Sequence, residues 1–105
     1  MTHSKFFLKN DLIVGFSFKG HAGAGKYGED IVCSAISSVC YLVANVITDE
    51  YGLDADIVEK DGFFSLRIKS ADAMKCREIL NGLLSHIKQI NEQYTKYTNV
   101  TISEV

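Results

Sequence analysis

The chain's architecture hinges on Leu12-Ile13-Val14-Gly15-Phe16-Ser17-Phe18-Lys19-Gly20-His21-Ala22-Gly23-Ala24-Gly25-Lys26-Tyr27-Gly28-Glu29-Asp30-Ile31-Val32-Cys33. An apolar strand runs into a glycine-rich loop, and a helical pattern leaves it. Two architectures open this way. A loop that cradles phosphate belongs to a parallel α/β sheet, whereas a loop that does not leaves the fold to its neighbours. Gly20 through Lys26 fits the G-x-x-x-x-G-K template, but Tyr27 stands where Ser or Thr must ligate magnesium. A phenol cannot replace that small hydroxyl, and no apolar strand ending in an aspartate supplies the second metal ligand. Gly23-x-Gly25-x-x-Gly28 satisfies a dinucleotide fingerprint, with Asp49 and Glu50 downstream. Gly20-His21-Ala22 intervenes, though, where the tight turn should follow the strand directly. The glycines Gly20, Gly23, Gly25 and Gly28 therefore read as a flexible loop.

Outward from this stretch the signals are hairpins. Lys5 to Lys9 and Leu12 to Lys19 flank Asn10-Asp11, a tight-turn dipeptide, and the second strand alternates with period two. Asp54 to Glu59 and Phe63 to Lys69 flank Asp61-Gly62 in the same way. Helical periodicity runs from about Asp30 to Tyr51, with Val32, Ile36, Val39, Val43, Val46 and Ile47 on one stripe and Gly52 as C-cap. Ser70 reads as the N-cap of a second helix, with Asp72 in its first turn. Its apolar face carries Met74, Ile79, Leu80, Leu83, Ile87, Ile90 and Tyr94. Val100 to Val105 fits a last strand. The order β-β-α-β-β-α-β predicts an α+β sandwich, a largely antiparallel sheet with two helices on one face. Residues 1–105 make a single domain on this reading.

Composition narrows the function. A net charge of -2 argues against a nucleic-acid surface as the main determinant, so no direct nucleic-acid partner is expected. No run of continuous apolar residues reaches membrane-spanning length, the N-terminus lacks a signal pattern, and no membrane association is expected. Three cysteines without a secretion signal point to reduced thiols in the cytoplasm. His3 and His86 show no ligand spacing with any cysteine, so neither a metal nor another cofactor is expected.

The loop also separates an imidazole at a strand end, His21, from a thiol twelve residues on, Cys33. Brought together, they are the minimum set for cysteine nucleophilic catalysis. With Asp30 as N-cap, Cys33 falls at the third helical position, where free amides and the positive dipole end favour a thiolate. Asp30 is a candidate orienter of His21, and amides near Cys33 are candidate oxyanion donors. Cys33, Ser37, Cys40 and Ala44 form a stripe at the edge of the apolar face. The plainer alternative stays open: a helical cysteine is commonly a small core residue, as Cys40 and Cys76 read, and Ser37 is then small packing.

Gly20-His21-Ala22, Gly25, Tyr27-Gly28 and Asp30-Ile31-Val32-Cys33, followed by Ser37, resemble the signature of the ribosomal-processing cysteine protease family, often called Prp. The resemblance implies His21 as general base and Cys33 as nucleophile, with Asp30 and Ser37 in supporting places. It implies an endopeptidase that removes a short N-terminal extension from large-subunit ribosomal protein number twenty-seven, supporting ribosome assembly. A homodimer whose loop orders over bound substrate is implied too. The rivals are a non-enzymatic ribosome-associated binding module, with Cys33 passive, and a phosphate-binding domain.

Overall fold

The computed structural model describes residues 1–20 and 27–105. Its strands are β1 (Thr2–Lys9), β2 (Leu12–Lys19), β3 (Ala55–Lys60), β4 (Phe63–Ile68) and β5 (Thr98–Glu104). The helices are α1 (Tyr27–Asn45), prolonged by a π-helical turn (Val46–Glu50), and α2 (Arg77–Gln93), preceded by a 3-10 segment (Ser70–Cys76). Sheet order is β3-β4-β2-β1-β5, antiparallel throughout except for the parallel β1–β5 seam. This is the expected α+β sandwich.

Both hairpins form where their turn residues dictate. Asn10 and Asp11 have φ of 53° and 65°, and Gly62 has φ of 74°. Asn and Asp tolerate this left-handed region because their short side chains bond locally, and Gly has no Cβ to clash. Register then aligns Phe6 with Phe16, Phe16 with Leu66, and Phe18 with Phe64 on one face of the sheet. Those rings join Val32, Ile36, Val43 and Ile47 from the first helical segment and Leu80, Leu83 and Ile87 from α2 in one core. Both helices therefore cover the same face. Gly52, with φ of 66°, ends the first helical segment, where the Leu53 N–H donates to the Ile47 carbonyl at 3.1 Å.

Gly15 sits opposite Arg67 where β2 pairs with β4. A Cβ there would lie 2.5 Å from the Leu66 carbonyl oxygen and 2.9 Å from Arg67 Cγ. The carbonyl is backbone in the middle of the sheet, so it cannot swing aside. Gly15→Ala is expected to cost about 1–3 kcal/mol through overpacking, read as a lower Tm. An unchanged Tm would contradict this close approach.

Several expectations shift. β1 begins at Thr2 rather than Lys5, because β5 pairs with it from Thr2 onward. For the same reason β5 begins at Thr98 rather than Val100. The segment after β4 starts as a 3-10 helix preceded by Lys69, so Ser70 is not its cap, and Lys69 makes no side-chain capping bond. With about three residues per 3-10 turn, Ala73 and Cys76 turn inward and Met74 is left 62% exposed. α1 begins at Tyr27, three residues before the expected Asp30. Finally, Gly28–Glu50 is long and apolar enough to cross a membrane by length and composition, which a search for unbroken apolar residues misses. Its inner stripe lies in the core described above.

Candidate active site

Cys33 is the seventh residue of α1 and is buried, among Val32 and Ile36 on the side facing the sheet. It forms one wall of a cavity of about 170 Å³. Phe18 and Gly20 from the end of β2, Ser37 and Tyr41 from α1, and Lys60 through Phe63 from the β3–β4 turn complete the lining. Cys33, Ser37 and Tyr41 are four residues apart, so one side of α1 presents all three.

Two ties hold the walls. The Gly20 N–H donates to the Gly62 carbonyl at 2.8 Å, pinning the residue before His21 to the hairpin tip. Gly20 is buried against Thr2, where a Cβ would lie 2.8 Å from the Thr2 Oγ1. Across the cavity the Tyr41 hydroxyl donates to Glu59 Oε2 at 2.7 Å. Tyr41 also meets Phe64 and Phe18 edge-on, with centroids 5.1 and 6.1 Å away. Donation to the Glu59 carboxylate raises the phenol pKa, chiefly through that hydrogen bond, so Tyr41 keeps its proton. α1 is thereby tied to β3.

The expected site residues land as follows. Cys33 and Ser37 share the cavity. The Ser37 hydroxyl donates to the Ser34 carbonyl at 3.2 Å, one turn back on its own helix. Asp30 is half-buried as the fourth residue of α1, not its cap. The helix therefore starts a turn earlier than expected and Cys33 sits beyond the free N-terminal amides. Those amides therefore neither favour a thiolate at Cys33 nor serve as oxyanion donors beside it. Gly28 belongs to α1 rather than to the loop. A Cβ on it would come within 2.6 Å of the Tyr97 ring, so close packing, not loop freedom, requires glycine there. Gly20 is an anchored strand end. His21, Gly23 and Gly25 lie outside the described residues.

Tyr41 and the Lys60–Phe63 turn escaped the sequence reading. The spacing of four from Cys33 through Ser37 was the available signal for Tyr41, whereas Asp61-Gly62 reads only as a turn. The three cysteines are unpaired and buried. Desolvation pushes the Cys40 thiol up to about 12, and burial raises Cys76 as well, so both stay protonated and unreactive at neutral pH. Among the described residues no cluster of His, Cys, Asp and Glu is built to hold a metal.

This geometry has parallels. The family model described as cysteine protease Prp matches residues 1–99. A ribosomal processing cysteine protease Prp of Staphylococcus aureus is 33% identical over 73% of this chain and 74% of its own. The crystal structure of an essential ribosomal processing protease Prp from Staphylococcus aureus, in complex with a substrate peptide, superposes with a TM-score of 0.88. It is 24% identical and covers 98% of this chain and all of that one. A structure of the same protease with a covalently linked product peptide gives 0.84 at 25% identity, with the same coverage of both chains.

Proposed function

The chain belongs to the cysteine protease Prp family, and from that premise we propose that it is a cytoplasmic cysteine endopeptidase with Cys33 as nucleophile and His21 as general base. The carrying observation is that Cys33 lines a cavity, while Cys40 and Cys76 are packed in the core. The substrate we infer is the N-terminal extension of large-subunit ribosomal protein number twenty-seven. A covalently linked product peptide on the Staphylococcus aureus relative supports a thioester route.

In this mechanism His21 takes the proton from Cys33 Sγ, and the sulfur attacks the scissile carbonyl to form a C–S bond. The C–N bond then breaks as His21 returns the proton to the leaving amine. Water, deprotonated by His21, attacks the thioester, releasing the new carboxylate and restoring the thiol. The Gly20–Gly62 bond fixes the main chain one residue before His21, at the hairpin tip that borders the cavity. Asp30 and Ser37 act in support, through positioning rather than contact with the reacting atoms. Assembly as a homodimer is supported by the apolar outer stripe of α1, where Ile31 and Leu42 are 43% and 60% exposed.

A synthetic peptide spanning the extension and the mature N-terminus, incubated with the protein and read by mass spectrometry, tests the reading. Cleavage at one bond supports it. Binding without cleavage would favour the non-enzymatic module instead. Iodoacetamide offers a second check at mildly acidic pH. Cys33 is expected to label first, with Cys40 and Cys76 following only on unfolding; equal labelling of the three would argue against an activated thiol.

A further inference from the structure

The face of the sheet turned away from both helices has a chemistry of its own. Register places Lys60, Phe63, Lys19, His3 and Asn99 in one row across all five strands. Phe63 thus stands between two lysines on adjacent strands, each roughly 5 Å from it at Cβ. Two rows further on, Gly15 separates Arg67 from Phe7. Because Gly15 has no side chain, the Arg67 guanidinium reaches across it and lies 4.1 Å from the centroid of the Phe7 ring. Lys5 sits in the row between. Over these three rows there are four cations, Lys5, Lys19, Lys60 and Arg67, against a single acid, Asp56.

The net charge of -2 conceals this segregation, since it averages two unlike faces. A groove of about 330 Å³ lies over the basic side, with Lys5, Lys19, His3 and Phe63 in its walls and no acid among them. His3 is steadied by a 3.0 Å hydrogen bond between its Nδ1 and Asn99 Oδ1. Polar neutral residues, Ser4, Ser17, Asn99 and Thr101, line the rest.

We propose that this open sheet face binds single-stranded RNA, adjoining the Cys33 cavity at Lys60 and Phe63. Half-buried Phe63 offers a ring on which an unpaired base can stack, and the flanking lysines meet the phosphates on either side. The Arg67–Phe7 pair gives a second flat, cationic platform on the order of 15 Å away, from strand spacing and rise, a span of a few nucleotides. Asn99 and Thr101 supply hydrogen-bonding groups for a ribose hydroxyl. A duplex fits poorly, because its bases are already stacked and a flat sheet cannot enter its grooves. A second copy of the chain fits poorly too: a two-fold pairing centred here would set lysine against lysine.

Fluorescence anisotropy with a labelled mixed-sequence RNA decamer tests the proposal. Binding is expected to weaken steeply between ~50 and ~200 mM salt, as released counterions require. Lys5→Glu with Arg67→Glu should weaken it by about 10-fold or more, with cleavage of the peptide substrate unchanged. If Arg67→Glu compromises folding by circular dichroism, Lys5→Glu with Thr101→Asp is used instead. Absence of binding, indifference to these variants, or equal affinity for DNA of the same sequence would overturn the assignment. So would sedimentation showing that the Lys5 variant separates two copies without altering RNA binding.

Discussion

Cys33→Ala and His21→Ala are each expected to reduce cleavage of the extension peptide by roughly 10⁴- to 10⁶-fold, with the fold retained. The size follows from how a nucleophile and its base act as one unit. Without the sulfur there is no acyl intermediate. Without the imidazole the thiol has no acceptor for its proton and the leaving amine has no donor. The double variant should therefore be no slower than either single one, which is the signature of a shared step. Cys33→Ser tests the sulfur itself, since its hydroxyl fills nearly the same space. The thermal midpoint should move little in Cys33→Ala, because the lost atom borders an existing cavity and not the sealed core. Cleavage at near-normal rate by Cys33→Ala would sink the dyad.

Phe16→Ala is expected to be the most damaging single change to stability. Phe16 is 1% exposed on β2, which is flanked by β4 and β1. Its ring sits 6.2 Å from Phe6 and 6.1 Å from Phe64, so it links the two hairpins. Truncation removes a large apolar area and leaves a hole the sheet cannot close, a loss of about 3–5 kcal/mol. A domain of this kind holds only about 5–15 kcal/mol in total. Urea melts of Phe16→Ala and Phe16→Leu should separate the two, the leucine variant losing much less. A loss below about 1 kcal/mol for the alanine variant would contradict the ring's bridging role.

The parts of the fold that local chemistry decides were legible. Asn10-Asp11 and Asp61-Gly62 specify their turns through backbone conformations open to few residues, and both hairpins follow. The bounds of β2 and the stripe of Val32, Ile36, Val43 and Ile47 come from periodicity alone. What was misread depends on distant partners. Gly28 looks like a helix breaker until Tyr97 is packed against it. Met74 looks like a core residue until the 3-10 geometry turns it outward. Thr2, His3 and Ser4 are too polar to announce a strand and become one only because β5 lies alongside. At the site the same division holds. The Cys33–Ser37 neighbourhood was visible in one helix, whereas the Tyr41–Glu59 tie and the wall at Lys60–Phe63 join segments far apart in sequence.

The parallel seam between β1 and β5 also bears on how the molecule is made. Thr2 pairs with Thr98 and Leu8 with Glu104, so β1 waits for a strand made long after it. A nascent chain stalled before β5 can build both hairpins and dock α1, yet one side of β1 stays unpaired. The order of manufacture and the order of the sheet disagree, and the sheet is completed only once the stretch after α2 is free of the ribosome.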